Sequence, residues 1–324
     1  MLKIITGRAG AGKTAKIMEQ IRADVDAARP GRVLLVPEQY SHEAERELAR
    51  VAGPSLALYA EVLSFTGIAR RVEAELGPGG RRALTPGGRL LCMALALEGV
   101  YSQLHVYARA RRSPEAQLEL LSAVDELAAA EVTSAELMEA AEKTPGALGE
   151  KLRDLALIMA AFSAAVGAEH TDSSDRLTLL AERLPYSAFA ESGAVYIDGF
   201  TDFTAQERRI ICELMRRADV TICLTLDSLE YGSELFDLSR NTARALMRFA
   251  REEGIAVETE RLESAARTPM DKLAENLLAY PARVFDAEGR IALYTAQQPV
   301  DECEFAAAQA LRLARSGCRW RDIA

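Results

Sequence analysis

Short apolar runs alternate with longer amphipathic segments over the first part of the chain. The runs at 2–6, 32–37 and 61–65 are aliphatic and rich in β-branched residues, which is typical of strands buried on both faces. After each run, apolar residues recur at helical spacing, in segments 15–28, 41–52 and 67–76. Because parallel strands need a crossover connection that is usually a helix, this alternation predicts βαβ units and a parallel sheet.

From about residue 89 to residue 184 the spacing is helical throughout. Thr133 and Glu136 have the spacing of a capping box at the start of one of these helices. Strand patterns return at 195–198 and 220–227, with a helical segment at 204–217 between them. The pattern therefore predicts one α/β domain that is interrupted by an all-α insertion.

The last part of the chain resumes the alternation. Residues 291–295 have the pattern of a strand, residues 302–316 that of a helix, and residues 319–324 begin another apolar run. A domain rarely ends at the first residues of a strand, so we expect the chain to be a piece of a longer protein.

Composition narrows the class of protein. Hydrophobic residues make up 49% and charged residues 27% of the 324 residues, which excludes disorder over most of the length. The net charge of −9 excludes a basic coat for nucleic acid over the whole surface, but a local basic groove stays open. The five cysteines are scattered, and the longest apolar run, 90–97, is too short to span a bilayer. We therefore expect a cytoplasmic protein with reduced thiols and no membrane contact.

One motif carries clear chemistry. Residues 7–14 match the pattern G-x-x-x-x-G-K-[ST] at every fixed position, between a predicted strand and a predicted helix. In such a loop, backbone N–H groups and the positive end of a helix surround nucleotide phosphates. We predict that Lys13 reaches the β- and γ-phosphates of ATP and that Thr14 ligates Mg²⁺. The predicted nucleotide-binding residues of the loop are Gly7, Arg8, Ala9, Gly10, Ala11, Gly12, Lys13 and Thr14.

A site of this kind also needs a carboxylate at the end of a neighbouring strand. Asp198 and Asp227 each end an apolar run, and Asp198 is the expected holder of the Mg²⁺ shell. Lys13 and Asp198 are therefore the predicted catalytic residues. Thr14 and Asp198 are the predicted metal ligands.

Taken in order, these segments resemble a known family. The nucleotide loop is followed by VLLVPEQ at 33–39, VLSFTGIARR at 62–71, the helical insertion and VYIDGFTDF at 195–203. This order resembles the N-terminal part of the AddB family, whose members pair with AddA in AddAB helicase–nucleases and are similar to UvrD-like superfamily-one helicases. The resemblance covers essentially the whole chain.

The resemblance implies a RecA-like P-loop NTPase domain, an α/β fold with a parallel sheet and helices on both faces. It places this domain at 1–84 and 186–290, the inserted helical subdomain at 85–185, and the start of a second RecA-like domain at 291–324. It implies a role in double-strand break processing and recombinational repair, with an AddA-like subunit and single-stranded or duplex-end DNA as partners. The nuclease and the iron–sulfur cluster of the family belong to its C-terminal part, so neither is expected here.

By position, the resemblance implies that Ser64, Phe65 and Thr66 touch single-stranded DNA, with the basic side chains of Arg70 and Arg71 on the same path. Two interpretations of Phe65 stay open, base stacking and core packing. Adjacent arginines on a helix do not share a face, so Arg70 and Arg71 can equally be solvated surface.

The departures from the family pattern concern ATP hydrolysis. Gly199 stands where hydrolases of this kind commonly place a glutamate that activates water, and neither Asp202 nor Glu207 occupies that position. Residues 224–227 resemble only the start of a further helicase motif, and Arg267 falls where an arginine reaches the γ-phosphate. We therefore expect a degenerate motor that binds ATP with weak or no hydrolysis. The alternatives are an active DNA-dependent ATPase and translocase that uses Asp202, and an unrelated P-loop kinase.

Overall fold

The computed structural model describes residues 1–77, 82–167, 170–171, 176–191, 193–263, 268–276, 281 and 283–323. Its strands are β1 (Leu2–Gly7), β2 (Arg32–Leu35), β3 (Ala60–Leu63), β4 (Arg82–Ala83), β5 (His170–Thr171), β6 (Ala194–Ile197), β7 (Asp219–Thr225) and β8 (Val257–Arg261). Six of them form one sheet in the order β3-β2-β6-β7-β1-β8, and every neighbouring pair is parallel. The predicted α/β class with a parallel sheet is confirmed.

Helices connect these strands and build the insertion. They are α1 (Lys13–Asp26), α2 (Ser41–Ala52), α3 (Leu56–Tyr59), α4 (Phe65–Leu76), α5 (Pro86–Val100), α6 (Pro114–Ala129), α7 (Ser134–Lys143), α8 (Ala147–Val166), α9 (Arg176–Arg183), α10 (Ala205–Arg217), α11 (Asp237–Glu252), α12 (Pro269–Asn276) and α13 (Pro299–Arg315).

The central sheet is covered by helices on both faces. On one face Ile5 and Leu34 pack against α1 and α2. On the other face their strand neighbours Ile4 and Val33 pack against α4, α9, α10 and α11. Successive residues of a strand point to opposite faces, so a strand that is buried twice needs the continuous apolar runs seen in the sequence. Each such buried side chain stabilises the fold by about 1.5–3 kcal/mol.

The strands differ from the sequence pattern: the short strands β4 and β5 and the edge strand β8 are additional, and one predicted strand does not form. The sheet gains β8, which pairs with β1 at its edge although its sequence, VETER, is mostly polar. An edge strand tolerates this composition because one side of it faces solvent, and Glu260 there forms an ion pair with Lys3 at 2.7 Å. The predicted strand at 291–295 is wrong: these residues have no regular structure, and Leu293 is 96% exposed.

The insertion has a hydrophobic core of its own. Helices α5, α6 and α8 meet around Met93, Leu97, Leu120, Ile158 and Phe162. The predicted capping box at the start of α7 is present. The short strands β4 and β5 pair with each other, so the two ends of the helical block leave the sheet domain side by side.

By compactness the chain divides into Met1–Ser264 and Ala265–Ala324. The second unit holds α12 and α13, and in it the ring of Tyr294 stacks on that of Phe305 with 3.8 Å between centroids. The division into a RecA-like domain, an inserted subdomain and a second RecA-like domain remains a prediction. Among the described residues, none of the helices combines the length and the apolar character needed to cross a bilayer.

Candidate functional site

The loop between β1 and α1 is built around three glycines. Gly10 and Gly12 have φ angles of +77° and +85°, which glycine adopts without strain. A Cβ on Gly7 would lie 2.8 Å from the carbonyl oxygen of Leu262 and 2.9 Å from the Cβ of Ala11. The glycines of the motif thus let the backbone turn tightly at the end of β1.

Lys13 is the first residue of α1, and its side chain folds back into this loop. Its Nζ donates to the carbonyl oxygens of Gly7 and Arg8, at 2.9 Å each, and the residue is 9% exposed. Burial lowers the pKa of Lys13, and the nearby Cys223 and Asp198 offset this only in part. An anion bound next to this amine would favour its charged form. The loop thus positions the Lys13 amine for a negatively charged ligand.

Thr14 and Asp198 come together from distant parts of the sequence. The hydroxyl of Thr14 donates to Oδ2 of Asp198 at 2.6 Å. Asp198 directly follows β6, and its backbone N–H donates to the carbonyl oxygen of Leu35 at 3.1 Å. The predicted metal ligands are thus neighbours, and both offer the oxygen atoms that Mg²⁺ prefers.

A cavity of about 430 Å³ opens beside these side chains. The cavity lies at the carboxyl ends of the parallel strands. From this edge, the chain leaves β1 through α1 towards β2 on one side of the sheet, and it leaves β7 through α11 towards β8 on the other side. Open α/β sheets bind ligands at such a switch point. Its lining residues are Gly10, Gly12, Lys13, Thr14, Asp198, Gly199, Phe200, Thr201, Cys223 and Thr225.

Asp227, the second strand-end carboxylate, has a different task. It accepts hydrogen bonds from the backbone N–H groups of Ser228 and Ser233, at 2.8 Å each, and from Arg240 at 2.9 Å. Burial alone would raise the pKa of Asp227, but these hydrogen bonds hold it below its usual range. Asp227 does not line the cavity, so Asp198 alone of the two offers a carboxylate there.

The backbone conformation at position 199 favours glycine. Its φ is +82°, and a Cβ there would lie 3.2 Å from Cδ of Pro37. The position next to Asp198 therefore disfavours any side chain, including the glutamate that hydrolases of this kind commonly place there.

The two nearby acids are engaged elsewhere. Oδ1 of Asp202 accepts a hydrogen bond from the hydroxyl of Thr242 at 2.6 Å. Glu207 closes a capping box at the start of α10, where it accepts from the N–H of Thr204 at 2.9 Å. Neither Asp202 nor Glu207 lines the cavity.

Comparison with known proteins assigns the chain to a family. Residues 4–275 match the family described as "ADDB, N-terminal". The chain belongs to the AddB N-terminal family. Relatives named as the B subunits of ATP-dependent helicase/deoxyribonucleases, from Thermoanaerobacter sp. (strain X514) and Desulforudis audaxviator, are 31% and 34% identical to it over 99% of its length. The relative of the same name from Moorella thermoacetica is 34% identical over 100%. The chain spans only 29–30% of the length of these relatives.

The AddB family match includes the segment that was predicted to contact DNA. Ser64 is the N-cap of α4: it accepts from the N–H of Gly67 at 3.1 Å and donates to Glu38. Phe65 is only 5% exposed and packs edge-on against Phe200, with 5.6 Å between ring centroids. The structure therefore shows that Phe65 packs in the core. A base could stack on its ring only if the contact between Phe65 and Phe200 opened.

The basic part of that segment lies farther along α4. Thr66 is partly exposed, and Arg70 and Arg71 are exposed. Arg71 forms an ion pair with Glu61 at 3.6 Å, whereas Arg70 makes no ion pair with any residue that the structure describes. Arg267 lies outside the described residues.

Several cavity residues were not predicted from the sequence to be site residues. Phe200 and Thr201 follow Asp198 in the same turn, and Cys223 and Thr225 come from β7. A strand pattern places Cys223 and Thr225 on one face, but it does not say that this face meets the nucleotide loop. That information lies in the sheet order, which puts β7 directly beside β1.

Proposed function

We propose that the chain binds ATP together with Mg²⁺ in the loop between β1 and α1. The observation that carries this proposal is the meeting of the Lys13 amine, the Thr14 hydroxyl and the Asp198 carboxylate at one glycine-lined cavity. A volume of about 430 Å³ falls within the range of small-molecule sites. The relatives' names begin with "ATP-dependent", which agrees with this choice of ligand.

Each side chain has a task in that site. When ATP binds, the amine of Lys13 would donate its hydrogen bonds to phosphate oxygens instead of to the two backbone carbonyl oxygens. This exchange is favourable because hydrogen bonds between charged groups are roughly twice as strong as neutral ones. Thr14 and Asp198 would hold Mg²⁺, which neutralises phosphate charge when it is bound. Within this proposal the sheet domain is RecA-like, with the nucleotide at its carboxyl edge.

We further propose that hydrolysis is weak or absent. Gly199 carries no side chain that could activate water, and the loss of a positioned base costs about 10²–10⁴-fold in rate. An active ATPase that uses Asp202 is disfavoured because this carboxylate is held by Thr242 and does not line the cavity. An unrelated kinase is disfavoured by the family match over 4–275.

The metal site is tested by Asp198→Asn in titrations with a fluorescent ATP analogue, with and without Mg²⁺. For the wild-type chain we expect Mg²⁺ to strengthen binding. Asp198→Asn should remove this gain, a loss of roughly tenfold or more, because the amide is a weaker metal ligand. Asp202→Asn is the matched control and should keep the full Mg²⁺ effect. A Mg²⁺ response that is lost in Asp202→Asn and kept in Asp198→Asn would reverse the roles of the two acids.

Membership of the AddB N-terminal family supports a wider role for the chain. We propose that the chain is the N-terminal part of an AddB-type helicase/deoxyribonuclease subunit that acts in recombinational repair of double-strand breaks in the cytoplasm. An AddA-like subunit and single-stranded or duplex-end DNA would be its partners. The relatives' names support a multisubunit enzyme that acts on DNA, and the relatives' additional length leaves room for the nuclease and its iron–sulfur cluster.

For DNA contact we propose the start of α4 and its two exposed arginines, Arg70 and Arg71. The double change Arg70→Glu and Arg71→Glu should weaken binding of a single-stranded oligonucleotide roughly tenfold at low salt, with a smaller dependence on salt concentration, because phosphate contacts are lost. Fluorescence anisotropy measures both effects. Arg22→Glu on α1, on the other face of the sheet, is the control. Equal affinities of the double variant and the wild-type chain would exclude this path.

A further inference from the structure

Helix α1 makes polar contacts at both of its ends with residues of β6 or directly after it. At the start of the helix, the hydroxyl of Thr14 donates to Asp198 at 2.6 Å. In the last turn of the helix, Asp24 accepts a hydrogen bond from the hydroxyl of Tyr196, on β6, at 3.0 Å. The second contact lies about 15 Å farther along the helix axis, the length of roughly ten helical residues.

Tyr196 and Asp198 lie on the same side of the sheet. They are two positions apart, and side chains at this spacing along a strand point to the same face. Tyr196 is 7% exposed and belongs to the apolar layer that Ile17 and Ile21 of α1 also build. A movement of α1 over this face of the sheet would therefore change both polar contacts together.

Asp24 is anchored on the strand side as well. Its Oδ2 accepts from Nε of Arg32, the first residue of β2, at 2.7 Å, and its Oδ1 accepts from Arg29 at 3.1 Å. Burial alone would raise the pKa of Asp24, but the hydrogen bonds that it accepts hold this pKa below its usual range. The carboxylate of Asp24 thus joins α1 to two neighbouring strands, β2 and β6.

The placement of α1 over β6 matters because the two predicted metal ligands come from different elements. Thr14 belongs to the helix, and Asp198 follows the strand. Mg²⁺ demands nearly ideal octahedral geometry with short distances to its oxygen ligands. Apolar packing is non-directional, whereas a hydrogen bond fixes distance and angle, so the contact between Asp24 and Tyr196 defines the helix position more sharply than the apolar layer does.

We propose that Tyr196 is a positioning residue of the metal site. Through its hydrogen bond to Asp24, it holds α1 over β6 in the placement that brings the Thr14 hydroxyl and the Asp198 carboxylate to one Mg²⁺ ion. This inference rests on the proposed binding of ATP with Mg²⁺, and it adds a residue that touches neither the metal ion nor the nucleotide.

The test compares Tyr196→Phe with the wild-type chain in titrations with a fluorescent ATP analogue, with and without Mg²⁺. The variant keeps the buried ring, and Asp24 keeps both of its arginine partners, so the fold should be kept, which thermal unfolding followed by circular dichroism verifies. The gain in affinity that Mg²⁺ gives should fall about fivefold, less than the roughly 10–100-fold cost of losing a direct partner of a metal ligand. Affinity without Mg²⁺ should stay within about twofold, because Lys13 and its loop are unchanged.

Two control variants separate positioning from stability. Tyr59→Phe makes the same chemical change at a half-buried tyrosine of the same apolar layer, whose hydroxyl makes no hydrogen bond with any residue that the structure describes, and it should change neither affinity. Asp24→Asn keeps an oxygen that can accept from both Tyr196 and Arg32, since both donate to Oδ2. It should lower the midpoint of thermal unfolding, because charge-assisted hydrogen bonds are weakened, and yet keep the Mg²⁺ gain.

The possible outcomes separate this inference from the metal site itself. A full Mg²⁺ gain in Tyr196→Phe, or equal losses with and without Mg²⁺, would overturn the positioning role and leave the metal site standing. A gain that follows thermal stability across the three variants would mean that Tyr196 is merely structural, which also overturns the role. A wild-type chain whose affinity does not respond to Mg²⁺ would overturn the metal site and the positioning role with it.

Discussion

Replacing Lys13 by alanine should weaken ATP binding by about 100-fold or more. The change removes a buried ammonium that already donates two hydrogen bonds at 2.9 Å and would donate them to phosphate oxygens. Hydrogen bonds to charged groups contribute about 1.5–3 kcal/mol each, and 2.7 kcal/mol corresponds to about 100-fold. Titration with a fluorescent ATP analogue in the presence of Mg²⁺ measures the loss directly.

Lys16 supplies a control on the same helix. It lies one turn after the loop, forms an ion pair with Glu260 at 3.3 Å and does not line the cavity. Lys16→Ala removes the same charge from α1 but should leave ATP affinity within about twofold, because only a screened surface charge is lost. If both alanine variants bind ATP as the wild-type chain does, the β1–α1 loop is not the nucleotide site.

The nucleotide loop could be predicted from the sequence because its conformation is encoded locally. Gly12, a fixed glycine of the motif, takes a left-handed conformation, as does Gly10 at a variable position, and Lys13 starts the helix as expected. The position of Asp198 next to Thr14 could be predicted because the carboxyl ends of parallel strands meet at one edge of a sheet. The loop geometry follows from a short stretch of sequence, and the position of Asp198 follows from a general rule of parallel sheets.

The contacts of Asp227 could not be predicted in this way. The sequence favoured Asp198 over Asp227 as the metal ligand, but only the structure shows that Asp227 binds Arg240, on α11, and does not line the cavity. The same limit applies to Cys223 and Thr225, which line the cavity because β7 lies next to β1. Strand order is a non-local property, so a pattern of single strands does not contain it.

Packing partners determine the structure of two further segments, the start of α4 and residues 291–295. The sequence left base stacking and core packing open for Phe65, and the structure shows that it packs against Phe200 in the core. The apolar run at 291–295 has the composition of a strand but no neighbouring strand to pair with among the described residues. Composition indicates what a segment can do, and packing partners determine what it does.

A second large effect is expected far from the nucleotide loop, in the helical insertion. Asp154 is a charged residue in the middle of the apolar helix α8 and is 0% exposed. Its carboxylate accepts hydrogen bonds from the backbone N–H groups of His105, Val106 and Tyr107, at 2.7–3.1 Å. One side chain thereby fixes the irregular turn that connects α5 to α6.

Asp154→Ala should destabilise the insertion by about 3 kcal/mol, because three partly buried N–H donors lose their acceptor and each such hydrogen bond contributes about 1 kcal/mol. Asp154→Asn should cost less, since one amide oxygen at the Oδ2 position can still accept from all three. Glu150→Ala, at an exposed site on the same helix, should stay within about 1 kcal/mol. Urea unfolding measures the free energies, and hydrogen exchange at residues 105–107 should rise most in Asp154→Ala. Unchanged protection of these amides in that variant would show that the turn is held by other contacts.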